Sequence, residues 1–294
     1  MAAAVEAEAD GSILNEAIVF LKPHADSDRC EAVVRAALLA AGCAITSTRR
    51  IGGAEIEDRK LIDAHYGSLA EAAMATPPSA FEVGAAKAVE FEAAFGVSWA
   101  AARKVLNPLA MAELRVDGAE LEKMWRSGPC VKLAPGTYVA ELVGAPTKTF
   151  TVNGFYPAMR AEFVAPGAAL RVFEIAFPRS AMSWAEFRDV VVGPTDPAAA
   201  SPKSLRGAFR ERWVDLGLAT EPKISCNCVH ASAGPLEGLK EREVWACVES
   251  QPIQDTFNLS VPERIFGGSL FLSSRRDLGE RGPTVQESWE TSST

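Results

Sequence analysis

The stretch Ser225-Cys226-Asn227-Cys228-Val229-His230-Ala231-Ser232 gathers more chemically capable side chains than any other part of this 294-residue chain. A histidine where a strand gives way to a loop can present one imidazole nitrogen to a cleft. The other nitrogen then takes an orienting partner that sets the tautomer. Glu241, on the helix expected next, suits that partner, and Ser232 places a hydroxyl two residues from the histidine. Such a histidine can act as a nucleophile, although a lone histidine at a strand end also serves structure alone. Cys226 and Cys228 flank Asn227 in an expected strand, Ile224 to Val229, where alternation sends both thiols to one face. With only three histidines in the chain, C-x-C is thin support for a metal site. We read the six scattered cysteines, Cys247 among them, as reduced thiols that behave as small hydrophobes. No G-x-x-x-x-G-K-[ST] is present, which excludes a P-loop mechanism.

The elements that must position these residues follow from pattern. Apolar residues make up 48% and charged residues 23%, so the chain can bury a core, and collagen-like, disordered and disulfide-stapled classes drop out. With 38 acids against 30 bases, the net charge of −8 argues against a whole-chain grip on nucleic acid or anionic lipid. No apolar run approaches a membrane span, and Glu6, Glu8 and Asp10 argue against a secretory or transit leader, so a cytoplasmic protein is expected. Ala17 to Leu21 reads as a buried strand ended by Lys22-Pro23. Asp28 with Glu31 predicts a capping box for a helix whose face holds Cys30, Val34 and Leu38, and Gly42 stops it. Ala44 to Arg50 predicts a strand and Ile56 to Tyr66 one helix. Between 70 and 150 the style changes, with helical patterns over Phe81 to Phe95, Trp99 to Leu106 and Leu121 to Trp125. A hairpin, Val131 to Leu133 and Tyr138 to Val143, follows. Then come a helix from Pro157 to Phe163, a strand from Leu170 to Ile175 and a capping box, Ser183 with Glu186, opening the helix that carries Arg188. A proline-rich loop from Gly193 to Lys203 and a helix from Leu236 to Val248 complete the pattern.

Asn227-x-x-His230-x-Ser232, preceded by Ser204-Leu205-Arg206-Gly207 and by Gly193-Pro194-Thr195-Asp196-Pro197-Ala198, resembles the nucleoside diphosphate kinase family. Its members carry G-x-T-N-P-A, T-I-R-G and N-x-x-H-G-S in that order. Lys22-Pro23, His65-Tyr66 and Phe155-Tyr156 stand where the family has its K-P, H-Y and F-F pairs. The resemblance spans 16–69 and 153–248. It implies a ferredoxin-like α/β sandwich with a four-stranded antiparallel sheet, interrupted by a mixed helical and hairpin insert. The corresponding domains are 12–69 plus 150–250, an insert at 70–149 and a C-terminal extension at 251–294.

That resemblance also implies roles. His230 would be the nucleophile that passes a phosphoryl group from ATP or another nucleoside triphosphate to a nucleoside diphosphate, with Glu241 orienting it beside Ser232. Lys22, Tyr66, Arg188, Thr195, Arg206 and Asn227 would surround phosphates and ribose, and Phe155 would stack on the base with modest preference among bases. Mg2+ would arrive with the nucleotide, because no acidic cluster reads as a dedicated cage. His24 and His65 are assigned to structure or surface. The chain departs from the family at Ala231, Asp196 and Lys203, by one extra residue between Arg188 and Thr195, and by about ten extra residues, including Trp213 to Pro222, before the His230 strand. Family members assemble as hexamers or tetramers. Here the insert hairpin is expected to extend the sheet edge, to lie beside the cleft and to keep the assembly smaller than a hexamer. The insert also suits a protein partner. A noncatalytic scaffold of the same fold, in a cytoskeletal or ciliary assembly, is the alternative reading.

Overall fold

The computed structural model describes residues 13–245. The acidic N-terminal arm, Cys247, the end of the last expected helix and the 251–294 extension lie outside the described residues. In chain order the elements are β1 (Leu14–Leu21), α1 (Asp28–Ala40), β2 (Ala44–Gly52), α2 (Gly53–Asp58), α3 (Leu61–Tyr66) and α4 (Ser68–Met74). Next come α5 (Ala85–Phe95), α6 (Asn107–Leu114), α7 (Gly118–Arg126), β3 (Cys130–Ala134), β4 (Thr137–Glu141) and β5 (Phe150–Val152). The chain closes with α8 (Tyr156–Val164), β6 (Ala169–Pro178), α9 (Trp184–Glu186), α10 (Leu205–Glu211), β7 (Val229–Ala231) and α11 (Pro235–Trp245).

Four strands pair antiparallel in the order β2-β6-β1-β7, the ferredoxin-like arrangement. β1 is apolar at every position from Ala17 to Leu21 because the sheet is covered on both faces. Ala17, Val19 and Leu21 join a core with α1 and α10, while Ile18 and Phe20 join one with α2, α3, α8 and α11. β1 therefore presents Phe20 to the second face, and that placement builds the site.

Local chemistry differs from expectation in a few places. Ser27, not Asp28, caps α1 by accepting from the Cys30 amide, and Glu31 instead pairs with Arg35 and Arg171. The single helix expected from Ile56 to Tyr66 is two, because Lys60 takes a left-handed conformation (φ 54°) between them. Trp99 to Leu106 is no helix. Its backbone pairs with Phe150 through Val105 N–H and Arg103 C=O, and α6 starts only where Pro108 fits a first turn. The strand expected from Ile224 to Val229 is instead Val229–Ala231, sharing only Val229 with it. Pairing ends at Lys22 N–H to Cys228 C=O, since Pro23 has no amide to continue the ladder. Residues 223–226 form a tight turn and Cys228 is left-handed (φ 66°), so the two thiols do not alternate along a strand.

The insert hairpin, β3 and β4, does not extend the main sheet. With β5 it forms a separate three-stranded sheet in the order β3-β4-β5. Phe91, Phe95, Val131, Val139, Phe150 and Val152 make one core there, and Leu121, Trp125, Ala140 and Leu142 a second. Asn107, fully buried, ties this unit to α4 and β5 by donating to the Ala73 and Val152 carbonyls at 2.8 Å each. At Gly118, where α7 meets α8, a Cβ would lie 2.8 Å from the Ala158 nitrogen, so glycine permits the close approach. Among the described residues no helix is long and apolar enough to cross a membrane.

Candidate functional site

His230 is the middle residue of β7 and stands directly opposite Phe20 of β1. The imidazole and phenyl rings stack with centroids 4.6 Å apart. His65, near the end of α3, closes the neighbouring side edge-to-face at 4.6 Å. α11 supplies Glu241, whose Oε1 lies 2.7 Å from His230 Nε2. Glu241 Oε2 accepts from the Ser232 hydroxyl at 2.6 Å, and that hydroxyl oxygen accepts from the Ile18 amide at 2.9 Å. Burial by itself would raise the Glu241 pKa. The facing His230 and its hydrogen bond, with His65 and Ser232 adding to them, outweigh that and hold the carboxyl below its ordinary range. The carboxylate accepts the Nε2 proton, so this tautomer leaves the lone pair on Nδ1. The His230 side chain is 24% exposed, which gives it contact with solvent that Glu241, at 8%, almost lacks.

Two cations flank this unit, neither in an ion pair among the described residues, although the Glu162 charge acts on Lys22. Burial, and secondarily the Arg206 charge, lowers the pKa of Lys22, which stands one residue past β1. Burial also brings Arg206 down to about 10, still charged at neutral pH. Arg206 donates to the Gly193 carbonyl at 2.8 Å and the Val229 carbonyl at 3.2 Å, and its Nε is buried with no protein partner. The helix that carries it is jammed against the preceding loop, since a Cβ on Gly207 would fall 1.9 Å from the Ser201 carbonyl oxygen. Asn227 donates to the Thr195 carbonyl at 3.2 Å and leaves its own Oδ1 buried without a protein partner. Among the described residues no carboxylate forms an ion pair with Lys22 or Arg206. Half-buried cations outside ion pairs, beside orphaned buried polar atoms, are features expected of an anion site.

The remaining expected residues fall nearby with different degrees of engagement. Tyr66 lies edge-on to His65 at 4.9 Å, and burial, with the Glu241 and Glu162 charges, pushes its hydroxyl up to about 12. Thr195 is exposed, joined to Asn227 through its carbonyl. Arg188 lies in a π-helical turn, Phe187–Val192, that continues α9 after the capping box of Ser183 and Glu186. The Gly193 amide reaches back five residues to the Arg188 carbonyl, so the turn accommodates the extra residue before Thr195. Arg188 donates to Asp189 at 3.1 Å and its charge is felt by Glu237. Phe155 is half-buried and packs on the insert, with Trp125 at 5.5 Å and the Arg126 guanidinium 5.9 Å from its ring centre. His24 is exposed, in keeping with its surface assignment.

His65 is the residue that sequence reasoning set aside and the structure brings in. Its Nδ1 accepts the Trp245 indole N–H at 3.1 Å, and Trp245 lies one turn past Glu241 on α11. The four-residue spacing of Glu241 and Trp245 was a readable signal that both face one way. Burial, then the His230 charge, lowers the His65 pKa to about 3. The unfolded chain binds a proton at this residue near pH 6.5, while the native state refuses it until about pH 3. Protonation across that window therefore favours unfolding, and the contribution is complete above pH 6.5 and lost as pH falls. The depressed Glu241 carboxyl acts in the same direction at lower pH. We expect denaturant-measured stability to drop by on the order of 3 kcal/mol from pH 7 to pH 4 through His65. His65→Gln should flatten that slope between pH 6.5 and 5.

His65, His230 and Glu241 each bring a ligand-type atom within 4.8 Å of the others. The His65 Nδ1 lone pair is engaged by Trp245, and Glu241 Oε1 and Oε2 already accept from His230 and Ser232. The donor set thus suits a hydrogen-bond network rather than a metal cage.

Fold and site together define a ferredoxin-like α/β domain carrying a carboxylate-oriented histidine beside two half-buried cations. No family model and no curated protein matches the chain. Among solved structures, the chain is similar to a nucleoside diphosphate kinase from Encephalitozoon cuniculi, at 13% identity over 81% of this chain and 93% of that one, with TM-score 0.39. A nucleoside diphosphate kinase from Pyrobaculum aerophilum matches at 17% identity over 79% and 96%, with TM-score 0.39. One from Borrelia burgdorferi with bound vanadate and ADP matches at 13% over 79% and 86%, with TM-score 0.36. The fold assignment rests on the strand order and register described above.

Proposed function

We propose that this chain is a nucleoside diphosphate kinase-like phosphotransferase working through His230. The observation that carries this reading is the His230–Glu241–Ser232 chain set beside Lys22 and Arg206, cations that form no ion pair among the described residues. The substrate is the magnesium complex of a nucleoside triphosphate, with Mg2+ held by the nucleotide's own oxygens. His230 Nδ1 attacks the γ-phosphorus, the N–P bond forms as the bond to the bridging oxygen breaks, and the nucleoside diphosphate leaves. Glu241 balances the positive charge that this step places on the imidazole. A second diphosphate then takes the phosphoryl group by the reverse of the same step, which restores the neutral ring. Phosphoryl transfer depends on positioning and charge stabilisation, and that is what these residues supply. Lys22 and Arg206 would hold phosphate oxygens, Arg as a fork and Lys as a point charge. Arg188, Thr195, Asn227 and Tyr66 would complete the phosphate and ribose contacts, with Phe155 at the base end.

Incubation with MgATP should add one acid-labile, base-stable phosphoryl group per chain, located on His230 by mass spectrometry. Adding a nucleoside diphosphate should then remove it. A folded protein that binds nucleotide yet stays unmodified would sink the phosphotransfer reading and leave the scaffold.

A further inference from the structure

Two imidazoles face one carboxylate oxygen. Glu241 Oε1 lies 2.7 Å from His230 Nε2 and 3.7 Å from His65 Nδ1. A proton on His65 Nδ1 would make that ring a second donor to the oxygen that orients His230. The Trp245 indole, which can only donate, occupies the Nδ1 lone pair at 3.1 Å. Trp245 is itself braced, its ring 5.3 Å from Phe20 and 5.5 Å from His65. The rest of the surroundings divides in sign. His230 on β7, Lys240 on α11 and Lys22 beyond β1 disfavour a charge on His65, while Glu241 on α11 favours one. Tyr66, the next residue on α3, contributes a neutral phenol and Phe20 of β1 an apolar ring edge. Burial is the largest part of the opposition, since the His65 side chain is only 4% exposed.

We propose that Trp245 and His65 are positioning residues for His230, with the indole N–H keeping His65 neutral so that Glu241 Oε1 serves His230 alone. The kinetic consequence rests on the phosphotransfer reading, whereas the state of the His65 ring does not. Glu241 and its guard ride on the same face of α11, one turn apart, so a single helix delivers both the orienting group and the group that protects it. Neither Trp245 nor His65 touches the reacting atoms.

Imidazole nitrogen NMR on the full chain reads the guard directly. In the wild type His65 should hold its proton on Nε2, with Nδ1 shifted as a hydrogen-bond acceptor, and should stay neutral down to about pH 4.5. Trp245→Phe keeps a ring but removes the donor. The His65 titration should then rise by at least about one pH unit, toward the range of an unperturbed histidine. In that variant turnover should fall by half at the raised His65 midpoint and roughly tenfold about one pH unit below it, relative to pH 8 and beyond the wild-type change, with nucleotide KM unaltered. Trp245→Phe combined with His65→Leu removes both partners and should restore the wild-type pH profile. A wild-type His65 carrying its proton on Nδ1, or charged at about pH 6, overturns the proposal even if the variants do not fold. So does a double variant as impaired as Trp245→Phe. If the wild type moves no phosphoryl group at any pH, the kinase reading fails while the NMR result still decides the guard.

Discussion

His230→Ala should lower turnover by about 10^4-fold while changing nucleotide affinity less than about threefold. No other side chain can take over the covalent step. His65, the nearest imidazole, has its Nδ1 occupied by Trp245 and stays neutral with a pKa of about 3. Lys22 and Arg206 remain in the variant, so the proposed phosphate contacts keep their counter-charges. The substitution also strips Glu241 of its main partner and leaves a buried carboxylate accepting only from Ser232. About 1–3 kcal/mol of stability should go with it, and the Glu241 carboxyl should move up in pKa. Steady-state kinetics with a coupled assay, nucleotide titration and thermal melting separate these effects. Turnover within tenfold of wild type would place the nucleophile elsewhere.

On the proposed phosphotransfer reading, Arg206→Ala should reduce kcat/KM by about 10^2- to 10^3-fold, because a half-buried guanidinium facing developing phosphate charge is only partly screened by water. Unlike the His230 change, this one should raise KM together with lowering kcat. Stability should fall by about 2 kcal/mol, since the Gly193 and Val229 carbonyls lose their donor. Those two carbonyls belong to the loop bearing Thr195 and to the strand bearing His230, so Arg206 also ties that loop to the His230 strand. Arg206→Lys should recover less than about a tenth of the lost activity, because one ammonium cannot reach two divergent carbonyls and a phosphate together. Full activity in the alanine variant would remove Arg206 from the site.

The two variants differ in how readable their targets were. His230 with Glu241 and Ser232 was legible because strand end, helix and hydroxyl lie within a dozen residues, where spacing implies proximity. The apolar run of β1, the α1 face, the β6 strand and the Ser183 capping box were legible for the same local reason. Period, cap chemistry and burial of a two-sided strand are written in short windows of sequence.

Other features depended on partners far along the chain. Trp245 and His65 are 180 residues apart, and nothing local to His65 announces that an indole will occupy its nitrogen. The Cys226–Cys228 segment alternates like a strand, yet β1 turns away at Pro23, so the ladder has nowhere to continue and a turn forms instead. Residues 103–105 read as helix until Phe150 pairs with their backbone. The hairpin looked able to extend the main sheet, but β5 returns from a later segment and closes a separate one. In each case local propensity was worth less than hydrogen bonds and burial offered by a distant segment. The histidine, its carboxylate and the cations were therefore present in the residues themselves, while the neutral second imidazole and the indole that holds it exist only once α3, α11 and β7 meet over Phe20.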